Sequence, residues 1–177
     1  MSAATPRILF VCTGNICRSA AAEVISAQWA REHNAPLEFA SAGVYGLSGE
    51  PVEATIADIL QQRGVPTDGF CASRLTGADV RKADLVLCME EHHRDAVVRI
   101  QPAMFRRVFL LRRAAALAEH GYVNSLADFS TVARGVLSDQ DWGIADPYGK
   151  DRDVCQRSVD IISAALAEVL PVVVRES

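Results

Sequence analysis

Residues 7–19, Arg-Ile-Leu-Phe-Val-Cys-Thr-Gly-Asn-Ile-Cys-Arg-Ser, constrain this chain more than any other stretch. Ile8-Leu9-Phe10-Val11 is an unbroken apolar run, the pattern of a strand covered on both faces in a parallel sheet. Ser19-Ala20-Ala21-Ala22-Glu23 opens a helix. Between them lies a tight loop, Cys12 to Arg18, of the form Cys-x5-Arg. Such a turn aims successive backbone N–H groups at one point, and the helix dipole adds positive potential there. A dianionic phosphate group fits that nest. Thr13, Gly14, Asn15, Ile16 and Cys17 are therefore the expected cradle. Cys12 enters the loop where these donors and Arg18 should lower its thiol pKa. A thiolate beside a bound phosphorus is a nucleophile in place. Arg18 can grip two phosphate oxygens with its planar fork, and the Ser19 hydroxyl can hydrogen-bond the sulfur. The plainer reading is a strand-to-helix turn with one buried thiol and one surface arginine.

The rest of the chain alternates strands and helices. A helix is expected over 19–32, with Ala21, Val24, Ile25 and Trp29 on one face. A second strand follows over 37–42, ending at Gly43. Pro51 suits the first turn of a second helix carrying Val52, Ile56, Ile59 and Leu60, with Gly64 as its stop. Residues 67–77 read as irregular, 78–82 as a short helix and 84–89 as a third strand. A helix over 90–100 stops before Pro102, and the fourth strand spans 107–111. The last helix, 151–170, carries Val154, Ile161, Ile162, Ala165, Leu166 and Val169 on one face and ends at Pro171. This order implies a parallel α/β sheet with right-handed crossovers.

Length and composition support one domain, residues 1–177, around a single core, since half the residues are hydrophobic. A net charge of −4 excludes the basic face that nucleic acid needs. An anionic substrate must be drawn by a local site. Five cysteines at irregular spacing indicate a reduced, cytoplasmic compartment. Residues 1–7 show no apolar signal segment. No run approaches the ~18 apolar residues of a membrane span.

Cleavage of a phosphate ester by a thiolate needs a proton for the departing oxygen and then a base for water. One carboxylic acid can do both. Asp146-Pro147-Tyr148 lies between the last strand and the last helix, where its loop can return to the carboxyl edge of the sheet. A bound phosphate dianion should keep Asp146 protonated. By itself an Asp-Pro pair is more simply a turn.

Val11-Cys12-Thr13-Gly14-Asn15-Ile16-Cys17-Arg18-Ser19 resembles the signature of the low-molecular-weight protein-tyrosine phosphatases, whose general acid lies in a matching Asp-Pro-Tyr. The resemblance implies a three-layer, four-stranded parallel sheet flanked by helices, with the phosphate loop at the carboxyl end of the first strand. It implies metal-independent hydrolysis of phosphotyrosine in proteins through a cysteinyl-phosphate, with no cofactor and inorganic phosphate as product. Cys12, Arg18 and Asp146 become the catalytic residues, and Asn15, Ser19 and Ser41 support the loop. Tyr148 should flank the substrate ring. Tyr45, Leu47 or Trp142 supplies the other wall. The spacing over 43–49 aligns with bacterial members linked to exopolysaccharide export, which have leucine where Leu47 falls and act on a tyrosine autokinase. In the family, the second loop cysteine, here Cys17, can form a reversible disulfide with the nucleophile, sparing it sulfinic oxidation.

Some positions depart from the family pattern. Phe70 stands where a supporting histidine is often found, and Ala20 replaces a proline. The segment at about 113–141 is longer than the pattern needs. It reads as a helical insert: Ala114 to Ala118 helical, then a capping start at Ser125-x-x-Asp128 with Leu126, Phe129, Ala133 and Leu137 at helical spacing. It is either a peripheral cover or a lid near the acid loop. His92-His93 reads as a solvated helix face rather than a metal site. Cys71, Cys88 and Cys155 lack zinc spacing, and Arg106-Arg107 and Arg112-Arg113 read as surface charge. Two other functions share these residues. A thiol-dependent arsenate reductase needs relay cysteines near the third strand, where only Cys88 stands. A catalytically dead phosphotyrosine-binding module needs only the cradle.

Overall fold

Ile8 to Val11 are buried on both faces of the sheet, and this places the strand they form at its centre. In the computed structural model, which describes residues 5–175, that strand is β1, Arg7–Cys12. It pairs in parallel with β2, Glu38–Gly43, on one side and with β3, Leu85–Cys88, on the other. β4, Val108–Leu110, adds to β3, giving the order β2-β1-β3-β4. Alternate residues of β1 serve two layers, as a pleated strand requires. Ile8, Phe10 and Cys12 join a core with α1 (Arg18–His33), α2 (Ala54–Gln62), α5 (Leu111–Glu119) and α6 (Arg152–Val173). Leu9 and Val11 join a second core with α3 (Gly77–Lys82) and α4 (Glu91–Ile100). The three-layer parallel sheet is as expected, and the Cys12 loop sits at the carboxyl end of β1.

Several helices differ from the pattern reading in ways packing explains. In α1 the closest face is not Val24, Ile25 and Trp29, which are half-buried, but Ala22, Ser26 and Ala30. Small residues let the helix approach closely. α2 starts at Ala54 rather than Pro51, because the Glu53 carboxylate accepts from the Thr55 and Ile56 N–H groups and caps it. α6 runs through Pro171 to Val173. Its last turn stays because Val172 and Val173 are buried against the core, which outweighs the lost ladder bond. On α6, Ile161 faces solvent and Val154 is half-buried, while Cys155 and Val159 take the core positions.

The insert is helical only in its first half. α5 forms as expected. Beyond it, the expected second helix is a single 3-10 turn, Ala127–Ser130. Asp128 does start that turn, accepting from the Asn124 and Ser125 N–H groups at 2.8 and 3.0 Å. β-Branched Thr131 and Val132 and then Gly135 follow, and all three are poor helix formers. The Arg113 guanidinium takes the carbonyls of Arg134 and Val136 at 2.6 and 2.9 Å, groups that a helix would have used internally. The segment is anchored by Phe129, buried edge-on against Phe109 with ring centroids 5.4 Å apart.

Phe129→Ala should leave a cavity at this anchor and cost about 3–5 kcal/mol. Urea unfolding checks this: the midpoint falls while the slope stays close to wild type.

Candidate active site

Cys12 ends β1, and the loop after it is fixed by backbone pairing with the segment after β2. The N–H groups of Val44, Tyr45 and Leu47 donate to the carbonyls of Cys12, Thr13 and Gly14 at 2.9, 2.9 and 3.0 Å. The two segments approach so closely at Gly43 that a Cβ there would lie 2.4 Å from the Thr13 carbonyl oxygen. Within the loop, Asn15 is fully buried with φ of 60°, a left-handed conformation that asparagine tolerates better than most residues. That turn brings the Asn15 N–H to 3.3 Å from the Cys12 sulfur.

The Asn15 side chain then locks the loop. Its Nδ2 donates to Ser19 Oγ at 2.8 Å and Ser41 Oγ at 2.7 Å, and its Oδ1 accepts from the Ser73 N–H at 2.7 Å. The Ser41 hydroxyl donates a hydrogen bond to the Glu23 carboxylate. Glu23 was not anticipated as part of this network. Burial pushes its carboxyl pKa up, and the Ser41 hydrogen bond opposes that. Because Ser19 Oγ accepts from Asn15, its O–H is free for the Cys12 sulfur, 2.9 Å away. Asn15, Ser19 and Ser41 thus meet where the sequence reading put them. Phe70 packs at the edge of the main core, and the Ser73 N–H meets Asn15 instead.

Arg18 opens α1 and is 1% exposed. Its Nη1 donates to the Ile144 carbonyl at 2.7 Å and to Glu90 Oε2 at 2.5 Å. Its Nη2 lies 3.3 Å from Asp146 Oδ2 and 3.4 Å from Thr13 Oγ1. Nε is buried with no hydrogen-bond partner among the described residues. Asp146 therefore does return to the loop. The Ile144 N–H pairs with the Met89 carbonyl at 2.7 Å, which pins the returning chain to the end of β3. The Asp146 carboxylate is about half-exposed and accepts from the Tyr148 N–H at 3.2 Å.

His93 corrects the reading of His92-His93 as a solvated face. His92 is exposed, but His93 is fully buried. Its Nδ1 accepts from the Glu90 N–H at 3.0 Å, so the ring proton sits on Nε2 and points to Thr13 Oγ1, 2.8 Å away. Burial pushes its pKa down to about 3, with the neighbouring His92 and Arg18 charges adding to this. The ring is neutral at ordinary pH. Glu90, His92 and His93 bring ligand atoms within 4.8 Å of one another. However, Glu90 is on Arg18 and both His93 nitrogens are engaged, so the cluster serves the arginine rather than a cation. The available signal was the spacing: Glu90-x-x-His93 is a capping box at a helix start on the carboxyl edge of the sheet.

These groups surround a cleft of about 190 Å³ lined by Cys12, Arg18 and Asp146 at its polar end and Ile16, Tyr45, Leu47 and Tyr148 on its walls. Thr13, Gly14 and Cys17 line it too. Both Tyr45 and Leu47 are present. Trp142 is not. Its Nε1 donates to the Leu137 carbonyl at 2.7 Å and its ring packs on the second core. All five cysteines are free. Burial raises the thiol pKa of Cys17, Cys88 and Cys155, and Cys88 lies fully buried on β3.

A thiol, a guanidinium and a carboxylate line one cleft at the carboxyl end of β1, the set of groups that thiol-based phosphoryl transfer uses. Residues 7–124 match the family described as low molecular weight phosphotyrosine protein phosphatase, and the chain belongs to it. It is accordingly a protein-tyrosine phosphatase, hydrolysing phosphotyrosine in proteins. Over 103 residues it is 39% identical to the low molecular weight protein-tyrosine-phosphatase Etp of Escherichia coli K12, a match covering 58% of this chain and 67% of Etp. The crystal structure of the tyrosine phosphatase AmsI from Erwinia amylovora superposes with a TM-score of 0.76 at 27% identity, covering 98% of this chain and 97% of AmsI. The YwlE arginine phosphatase of Geobacillus stearothermophilus superposes with a TM-score of 0.72 at 26% identity, covering 93% and 90%. Among the described residues no helix is long and apolar enough to cross a membrane.

His93 gives a pH signature of the folded state. Its pKa falls from 6.5 in the unfolded chain to about 3 in the fold, so the unfolded state binds the extra proton between those values. The stability held by neutral His93 is complete above pH 6.5 and is lost as pH falls toward 3. His93→Gln should flatten this part of the stability profile in urea titrations at stepped pH.

Proposed function

We propose that Cys12 is the nucleophile, Arg18 the phosphate clamp and Asp146 the general acid and then base. The convergence of these three side chains in one cleft carries this reading. The thiolate of Cys12 attacks phosphorus, an S–P bond forms, and the bond from phosphorus to the tyrosyl oxygen breaks. Asp146 gives its proton to that oxygen as it leaves. Asp146, now a carboxylate, takes a proton from water, which attacks the cysteinyl-phosphate. The S–P bond breaks, inorganic phosphate leaves, and the Ser19 O–H stabilises the departing thiolate. The loop N–H groups and the Nε and Nη2 edge of Arg18 hold the equatorial oxygens throughout, stabilising charge where it develops. Glu90 and the Ile144 carbonyl keep the other amino group occupied, so the fork has one orientation.

The walls support an aromatic substrate. Ile16, Tyr45, Leu47 and Tyr148 offer apolar and aromatic surface to a phenyl ring. Likeness to an arginine phosphatase favours phosphoarginine as a second reading. Against it, Asp146 is the only carboxylate lining the cleft among the described residues, and the proposed chemistry uses it. A relay to an arsenate-reducing thiol finds no support at Cys88, whose burial on β3 keeps it from exchange. The substrate we assign is a tyrosine-phosphorylated protein, with a bacterial tyrosine autokinase the partner that the sequence resemblance implies. A nucleophilic thiol and five free cysteines fit a reducing cytoplasm. We treat residues 1–177 as one phosphatase domain that includes the segment at 113–141.

Cys12→Ser should abolish turnover of aryl phosphates while retaining phosphate binding. Acid-quenched wild-type enzyme should carry phosphate on Cys12. Asp146→Asn should lower kcat about 10²–10⁴-fold, most for poor leaving groups. Full activity in Cys12→Ser excludes the mechanism. Phosphate bound but never turned over by wild type indicates a binding module. Faster hydrolysis of phosphoarginine than phosphotyrosine peptides selects the second reading.

A further inference from the structure

Four arginines converge away from the catalytic cleft. Arg94 on α4, Arg106 just before β4, Arg113 on α5 and Arg134 in the insert line a shallow cleft at the β4 edge of the sheet, with Phe105 and Phe109 as its floor. Among the described residues no carboxylate lines it. The guanidiniums of Arg106 and Arg134 lie over the Phe105 ring at 5.4 and 4.1 Å, and that of Arg113 over Phe109 at 5.8 Å. Stacking of this kind holds the charged heads in place. Arg94 reaches Glu91 and Asp95 only at 3.7 and 3.8 Å. Among the described residues, Arg106, Arg113 and Arg134 have no ion-pair partner. In a chain of net charge −4, this is a local reversal of sign.

The size of the cleft limits what it can take. The space inside is small, about 30 Å³. A nucleotide or sugar phosphate does not fit inside. The anion must be presented from outside, by a chain lying across the exposed heads of Arg106 and Arg134.

The catalytic cleft leaves a need for such a contact. Its one lining cation, Arg18, is buried, and its rim is Tyr45, Leu47 and Tyr148. The overall charge repels an acidic phosphoprotein, so attraction must be local. β4 lies two strands from β1, about 10 Å by strand spacing. The two clefts are also braced together. Arg112 Nη1 holds the Gly143 carbonyl at 3.1 Å just before the acid loop, and its neighbour Arg113 holds the Arg134 carbonyl at 2.6 Å.

Building on the phosphatase reading, we propose that this arginine cleft docks the carboxylates of acidic residues in the phosphoprotein substrate, at least about three residues from the phosphotyrosine in an extended chain. It acts on substrate capture and leaves the chemical step alone.

The test compares wild type with R106A/R134A on three substrates. These are p-nitrophenyl phosphate, a phosphotyrosine peptide with glutamates from about three residues outward on both sides, and the same peptide with glutamines. Wild type should prefer the glutamate peptide about 5–20-fold in kcat/KM at low salt, through KM, and lose that preference in 0.5 M NaCl. R106A/R134A should lose the preference at every salt concentration yet hydrolyse p-nitrophenyl phosphate within about twofold of wild type, which also reports that it folds. R106E/R134E should reverse the preference, and R106K/R134K should restore most of it. Equal wild-type rates on the two peptides, or a preference that survives in R106A/R134A, overturns the docking role and leaves the phosphatase reading intact. Failure of wild type to hydrolyse any of the three substrates overturns the phosphatase reading instead.

Discussion

A buried guanidinium holds this site together. Taking the Arg18 charge out of water costs several kcal/mol unless it is matched by opposite charge and hydrogen bonds. The matching groups come from far along the chain: Glu90 at the end of β3, the Ile144 carbonyl, and Asp146 on the returning loop. Arg18 can be satisfied only when β1 lies beside β3 and the chain after the insert has come back to both. Folding and assembly of the cleft are thus one event. The same burial keeps water from screening the guanidinium, which raises its worth to a developing phosphate charge.

Around that charge, two hydrogen-bond networks hold the loop from opposite sides. On the α1 side, Glu23, Ser41, Asn15 and Ser19 form a chain that ends at the Cys12 sulfur. On the α4 side, His93 links the Glu90 backbone to Thr13. The Asn15 amide fixes the direction of most of the first chain, donating to both serines and accepting from the Ser73 N–H. Buried polar networks specify a structure only when so satisfied. The left-handed turn at Asn15 is stable because its side chain is fixed at both ends. His93 suits its place because it is neutral. A second cation there would compete with Arg18.

What could be read from the sequence follows from how local each feature is. The β1 strand, the loop and the first turn of α1 are contiguous, so Cys12, Arg18 and the cradle were legible, as were the four strands. Asp146 was legible through its Asp-Pro-Tyr and its position before the last helix. Glu90 and His93 were not assigned to the site, since their roles arise only when β3 ends beside Arg18. The Ile144 carbonyl leaves no side-chain signature at all. The failed second helix of the insert has the same origin. Apolar spacing at Leu126, Phe129, Ala133 and Leu137 suggested a helix, but Arg113, distant in sequence, captured the carbonyls. Pro171 shows the reverse case, where core burial of Val172 and Val173 carried a helix past a local breaker.

The acid loop must hold Asp146 near phosphorus while letting its carboxyl serve two positions in the proposed reaction, the leaving oxygen and then water. Its backbone is tied on one side by the Ile144 pairing to Met89 and on the other by the Cys155 thiol, which approaches the Pro147 carbonyl at 3.7 Å. The carboxylate itself is half-exposed, so side-chain rotation is the freedom left to it. Before substrate binds, its 3.3 Å contact with Arg18 Nη2 fixes one rotamer. A phosphate oxygen taken up by Nη2 displaces that contact. One competition, for a single amino group of Arg18, therefore releases the Asp146 carboxyl for the role proposed for it.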